Sequence, residues 1–295
     1  LSSRPLHRFS SPIKRSSSQI ESASLSYLYI ELDADIPVLF LHGIPSSAEL
    51  WREVMVTMHQ DRFRVFAIDL PGYGKTRLTP DSDFSLKNAA RLVALWIEQK
   101  LQGEPVWLVG HDLGGAVAQI LAVEKPHLIQ RLTLCNSPFD RSWPVLPVRV
   151  FRLAAKLGLY DFIARNGMLP NPYTRNKMKK AFFSADEISE EKIKRIFWSG
   201  KVHDKEGRRQ FALHLRHLNN DDTHDIKNRL KNFDKPIQLI WADRDYYQPW
   251  LIVGRRLSKV FPHADVRIIA NSGHYLPLEN PQAVTESMLF WHDSL

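Results

Sequence analysis

The chain is poor in cysteine, has no long apolar run and carries no acid at its start. Cys135 is its one cysteine in 295 residues. No internal disulfide can form, and nothing calls for an oxidising compartment. Cys135 lies in the apolar stretch RLTLCN and reads as a buried strand residue. No apolar run approaches the roughly 20 residues that a membrane-crossing helix needs, so no membrane span is expected and a cytoplasmic protein is. The first twenty residues hold four Lys or Arg, several serines and no Asp or Glu. They read as a basic tail, disordered or left over from targeting, without the apolar core of a secretory signal.

What is present is ordinary for a globular protein: 44% hydrophobic and 24% charged residues. The length suits one large α/β domain, or a core with an insertion. The formal charge of +8 is concentrated in the tail and in residues 137–234, where twenty basic residues face twelve acidic ones. A solvated helical surface explains that excess; attraction of anionic substrates or an acidic surface is the sharper reading. No recognition motif for nucleic acid accompanies the charge, so no such partner is expected.

From about residue 25 the pattern alternates. LSYLYIEL (25–32) has the two-residue period of a half-buried strand, while IPVLFL (36–41) and RVFAIDL (64–70) read as buried strands. Helical spacing over 48–60 and 86–101 separates them and leads to the strand VWLVG (106–110), a helix over 114–124 and the strand RLTLCN (131–136). This rhythm predicts a mostly parallel sheet with helices on both faces. It breaks over 138–234, which is helix-like, basic and aromatic, and resumes at PIQLIWAD (236–243), a helix over 250–261, DVRIIA (265–270) and a last helix over 281–295. The predicted organisation is a tail at 1–20, a core of 21–137 and 235–295, and a helical cap at 138–234.

Sites in open α/β sheets form beyond the carboxyl ends of the strands, and four groups stand there. His42-Gly43-Ile44-Pro45 follows the second predicted strand; a glycine lets the chain turn and aim the next amide into a cavity, although a buried His in a plain turn fits too. Asp112 lies in GHDLGG, between strand and helix. Aspartate is a favoured N-cap, but a cap needs none of the glycines at 110, 114 and 115. Their offsets are those of a nucleophile elbow, where small neighbours let strand and helix pack closely around a strained residue. Asp243 and Asp245 follow the strand PIQLIWAD, and His274 follows the last one. The order nucleophile, acid, histidine is that of a catalytic triad. GYGKT (72–76) is not a phosphate loop, because Asp69 stands where that motif requires glycine. His214 and His217, one helical turn apart without further ligands, do not make a metal site.

With HGIP (42–45), DLPGYGKT (69–76), GHDLGG (110–115), WADRDYYQP (241–249) and SGHYLPLENP (272–281) in view, the chain resembles the α/β-hydrolase-fold superfamily over roughly residues 20–295. Within it, the elbow aspartate resembles the epoxide hydrolase and haloalkane dehalogenase branch. The resemblance implies an eight-stranded, mostly parallel sheet with an inserted cap, and Asp245 rather than Asp243 as the triad acid. It implies Asp112 as nucleophile, His274 as base, and the amides of Ile44 and Leu113 as oxyanion hole, with no metal or organic cofactor. A carboxylate is already charged at neutral pH and can displace a leaving group from saturated carbon, leaving an ester that His274-activated water hydrolyses. The side-chain halide donors usual in dehalogenases are replaced by Ile44 and Leu113. Tyr160 lies at a spacing beyond Asp112 that suits the first of two cap tyrosines that bind an epoxide oxygen, or else an aromatic packing the lid; His214, His217 and Tyr173 are candidates for the second. His42 and Trp143 complete the expected substrate-binding set. The expected substrate is a small apolar molecule, acted on by a monomer or homodimer. Epoxide hydrolysis is favoured over dehalogenation, ester or lactone hydrolysis, and a non-catalytic binding role.

Overall fold

A computed structural model describes residues 13–30, 34–60, 63–166, 179–198 and 204–295. Eight strands form one sheet: β1 (Lys14–Ile20), β2 (Ala23–Ile30), β3 (Pro37–Leu41), β4 (Arg64–Ile68), β5 (Val106–His111), β6 (Ile129–Cys135), β7 (Ile237–Ala242) and β8 (Asp265–Ile269). Their order across the sheet is β1-β2-β4-β3-β5-β6-β7-β8. β2 pairs antiparallel with both neighbours, and every other pairing is parallel.

The inner strands are apolar on both sides because both faces are covered. In β3, Leu39 and Leu41 join one core cluster while Val38 and Phe40 join the other; Val106 and Leu108 of β5 divide from Trp107 and Val109 in the same way. The first face is covered by α2 (Leu86–Lys100) and α3 (Leu113–Glu124), the second by α1 (Arg52–Gln60) and the C-terminal helix Pro281–Asp293. α2 starts where Ser85 accepts a hydrogen bond from the Asn88 amide at 3.2 Å, a capping interaction. α3 is buried along almost its whole length, which its run of Gly, Ala, Val, Ile and Leu permits.

One expectation is corrected at the N-terminus. Residues 14–20 are not tail but the edge strand β1, paired with β2 from Lys14↔Tyr29 to Ile20↔Ala23. Its sequence, KRSSSQI, lacks an apolar period because only one end reaches the core. Charged side chains on such an edge discourage pairing with another chain.

Between β6 and β7 the described residues form helices and no strand: α4 (Leu146–Lys156), α5 (Leu159–Arg165), α6 (Glu190–Ile193), α7 (Lys205–His217) and α8 (Asp221–Ile226). α9 (Arg255–Ser258), α10 (Leu276–Glu279) and α11 (Pro281–Asp293) complete the chain. Among the described residues no helix is long and apolar enough to cross a membrane.

The strand order reverses between β3 and β5, where Leu41 lies opposite Gly110. At such a switch point the two connections leave in opposite directions and open a crevice beyond the strand ends. Ile44 and Asp112 both follow those ends.

Candidate active site

Asp112 sits one residue past β5 with φ +47° and ψ −124°, a conformation that costs a non-glycine residue about 1–3 kcal/mol. Packing holds it there. A Cβ on Gly114 would lie 2.3 Å from the Leu41 carbonyl oxygen, and one on Gly43 would lie 2.4 Å from the Asp112 Cβ. Glycine is required at both places so that the strand end, the helix start and the HGIP turn can meet.

The carboxylate does not cap its own helix through the side-chain geometry of an N-cap. Oδ2 accepts a hydrogen bond from the Ile44 amide at 2.9 Å, and the Leu113 amide also bonds the carboxylate. Oδ1 faces His274, whose Nε2 is 3.9 Å away. Burial raises the Asp112 carboxyl to about 6, and the His274 charge and the two amides only partly oppose it.

His274 is fixed on every side. Its Nδ1 lies 2.9 Å and 3.1 Å from the two oxygens of Asp245, so Nδ1–H donates to the carboxylate and Nε2 turns to Asp112. Asp245 Oδ1 also accepts from the amides of Tyr247 and Gln248 at 2.8 and 2.9 Å. Asp243 instead lies exposed in the turn, accepting from the Ser272 amide at 3.3 Å. Burial pulls the imidazole pKa down, but the Asp245 charge and hydrogen bond, then the Asp112 charge, carry it up to about 9.

The backbone of residue 274 is equally held. Its amide donates to the Ala181 carbonyl at 2.7 Å, and its carbonyl accepts from His111 Nε2 at 2.7 Å and Asn136 Nδ2 at 3.0 Å. A carbonyl can only accept, so His111 carries its proton on Nε2. Asn136 Oδ1 accepts from the Ala242 amide at 2.9 Å, tying β6 to β7 and to the histidine loop at once. Tyr275 donates its hydroxyl to the Ile44 carbonyl at 3.1 Å and steadies the HGIP turn. The sequence reading missed His111, Asn136 and Tyr275; His111 and Tyr275 adjoin Asp112 and His274 and Asn136 ends the strand RLTLCN, but only the fold shows their partners.

Two expected substrate contacts are engaged elsewhere. His42 Nδ1 donates to the Gly43 carbonyl at 2.9 Å, and Nε2 accepts from the Leu70 amide at 3.0 Å. Its polar atoms hold two loops together rather than facing a ligand. Trp143 is buried, with its indole N–H donated to Thr223 Oγ1 at 2.8 Å. Tyr160 is buried with its ring 5.4 Å from Phe211. Phe211 meets Tyr73 edge to face at 5.4 Å, and Tyr73 meets His214 at 4.8 Å and His42 at 5.1 Å in the same way. Burial first, then the Asp112 charge, holds the Tyr73 phenol well above its ordinary pKa, with Tyr160 contributing. Tyr73, overlooked within DLPGYGKT, thus packs against Phe211 and His214 of α7 and feels the Asp112 charge. His217 is exposed, and Tyr173 lies outside the described residues.

The chain can be set beside known proteins on this geometry. An uncharacterized hydrolase of Bacillus subtilis (strain 168) is 26% identical over 278 residues, covering 94% of this chain and 96% of its own. An sn-1-specific diacylglycerol lipase of Mus musculus is 25% identical over 272 residues, covering 88% and 81%. The solved Cif epoxide hydrolase from Acinetobacter nosocomialis superposes with a TM-score of 0.77 at 19% identity, covering 94% and 88%, a likeness of fold. The family model described as the alpha/beta hydrolase fold matches residues 36–281. With that match spanning β3 to β8, the elbow and the histidine loop, the chain belongs to the α/β-hydrolase-fold family.

Proposed function

We propose that this protein is a hydrolase that attacks an electrophilic carbon with Asp112, and that epoxides are its preferred substrate class. The observation that carries this reading is the split role of the carboxylate: Oδ2 rests on the Ile44 amide at 2.9 Å, while Oδ1 faces the imidazole. An oxygen already seated on amides becomes the oxyanion of the second step without moving.

In the first step Asp112 Oδ1 forms a bond to one epoxide carbon, and the carbon–oxygen bond to the ring oxygen breaks. A phenol, Tyr160 or Tyr73, gives that oxygen its proton. The resulting ester has no charge, so one of the influences holding the His274 pKa up disappears. The imidazolium can then return a proton to the phenolate and take another from water. The hydroxide adds to the ester carbonyl, Oδ2 carries the negative charge against the Ile44 and Leu113 amides, and collapse releases a diol. The displaced alkoxide is protonated by His274, while Asp112 keeps the oxygen of water and passes its acid proton back to the imidazole. The cap of the sequence reading, over 138–234, would close this crevice.

Dehalogenation follows the same two steps, but Ile44 and Leu113 offer halide no side-chain donor. Ester hydrolysis is the second reading, supported by the likeness to the mouse diacylglycerol lipase. One turnover in heavy-oxygen water, followed by mass spectrometry of the Asp112 peptide, separates them. Label in Asp112, with diol formed from an epoxide panel, is expected. Ester turnover that survives Asp112→Asn, with no label in the peptide, would replace this reading by the second.

A further inference from the structure

We propose that the outer face of α4 and the start of α5 form a docking surface for an anionic lipid interface. α4 has two apolar faces. Val148, Phe151 and Ala155 point inward and pack in the core, which satisfies the helix's part in folding. Leu146, Val150, Leu153 and Leu157 recur at the spacing of one helical stripe and are 73, 59, 58 and 64% exposed. Gly158, at φ +73°, turns the chain, and Leu159 and Phe162 continue the surface at 49 and 63% exposure. Six large side chains, five of them more than half exposed and Leu159 at 49%, make a contiguous apolar patch of the kind that marks an interaction site rather than scattered surface residues.

Charge selects the partner. Helical geometry puts Arg149, Arg152 and Lys156 along one margin of the stripe, and Arg216 of α7 donates to the Ala155 carbonyl at 2.8 Å. Residues 141–160 contain no acid, and the next one, Asp161, is paired with Arg208 at 3.2 Å. An apolar stripe with a cationic margin is the pattern of a helix lying in the plane of an anionic bilayer, its apolar side sunk among the acyl chains. A second copy packed antiparallel fits worse, because a two-fold axis crossing the stripe would bring the two basic margins together.

The test is co-sedimentation of the full-length chain with vesicles of phosphatidylcholine alone or mixed equally with phosphatidylglycerol. Binding to the mixed vesicles is expected, weakened by salt. The double variant V150E/L153E should bind at least about tenfold more weakly, and K156E should lose part of the gain from the anionic lipid. Thermal melting checks that both variants are folded. No pelleting of the native chain, or equal pelleting of native and V150E/L153E chains, overturns the proposal. So does a native dimer in sedimentation velocity that V150E/L153E makes monomeric, since the stripe would then be an interface between copies. Turnover is not the readout, so the result is independent of the chemistry proposed for Asp112.

Discussion

Two buried aspartates stand at the ends of neighbouring parts of the sheet and have opposite characters. Asp69, just past β4, is fully buried, and Asp112 is 5% exposed. Burial alone would raise both carboxyls. At Asp69 it is outweighed by the Arg15 guanidinium, whose Nη1 lies 2.5 Å from Oδ2, and by the amides of Ala48 at 2.8 Å and Lys75 at 3.0 Å. Its pKa falls below the ordinary value. Asp112 has two amides and an imidazole at 3.9 Å, and its pKa rises. A buried carboxylate saturated with partners is a structural tie; one with fewer partners keeps the raised pKa that suits the reacting group proposed at Asp112. The difference lies in the partners, not in the depth of burial.

The sharpest way to break this comparison is to neutralise each carboxyl in turn. Asp112→Asn should lower turnover by about 10⁴-fold or more, while unfolding experiments show stability unchanged or raised by about 1–3 kcal/mol. The sign follows from the raised pKa: ionising Asp112 costs the folded state stability as pH climbs from about 4 to about 6, and asparagine removes that cost. Asp69→Asn should do the reverse, costing about 3 kcal/mol or more by leaving Arg15 short of a partner. The turnover of whatever Asp69→Asn protein remains folded should fall far less. If Asp112→Asn destabilises as much as Asp69→Asn, the distinction between tie and reagent is lost.

A smaller effect sharpens the contrast through pH. A protonated carboxyl is no nucleophile, so the rate of covalent attack should rise as pH climbs through about 6 and fall away below it. Asp69, with its lowered pKa, contributes stability that is complete above about pH 4 and lost at lower pH. Rapid-quench kinetics and acid melts should therefore report separate transitions, and a single shared one would count against separate roles.

The inner strands were legible because β3 to β7 are short apolar runs bounded by turn residues, and burial on both faces demands that composition. The elbow was legible because its glycines are needed at fixed offsets from Asp112. β1 was not, since an edge strand needs little apolar surface and KRSSSQI carries almost none. Arg15 is the clearest loss: it lies 54 residues from Asp69, and only the β1-β2-β4 order brings them together. Trp143 and His42 were chosen for their residue type, while their polar atoms are committed to Thr223 and to backbone that no local pattern reveals. The acid at 245 rather than 243 was read from family spacing, and geometry brings the same residue to the imidazole.

The tight approach of Gly43 and Gly114 has a consequence for how such a protein changes its trade. The bend at 112 sits among residues packed so closely that a Cβ on Gly43 or Gly114 would collide with its neighbours. On the proposed chemistry position 112 is a socket, and the tool fitted there can be exchanged without rebuilding the handle. A single codon separates one reactive atom from another, while sheet, histidine and amides wait unchanged.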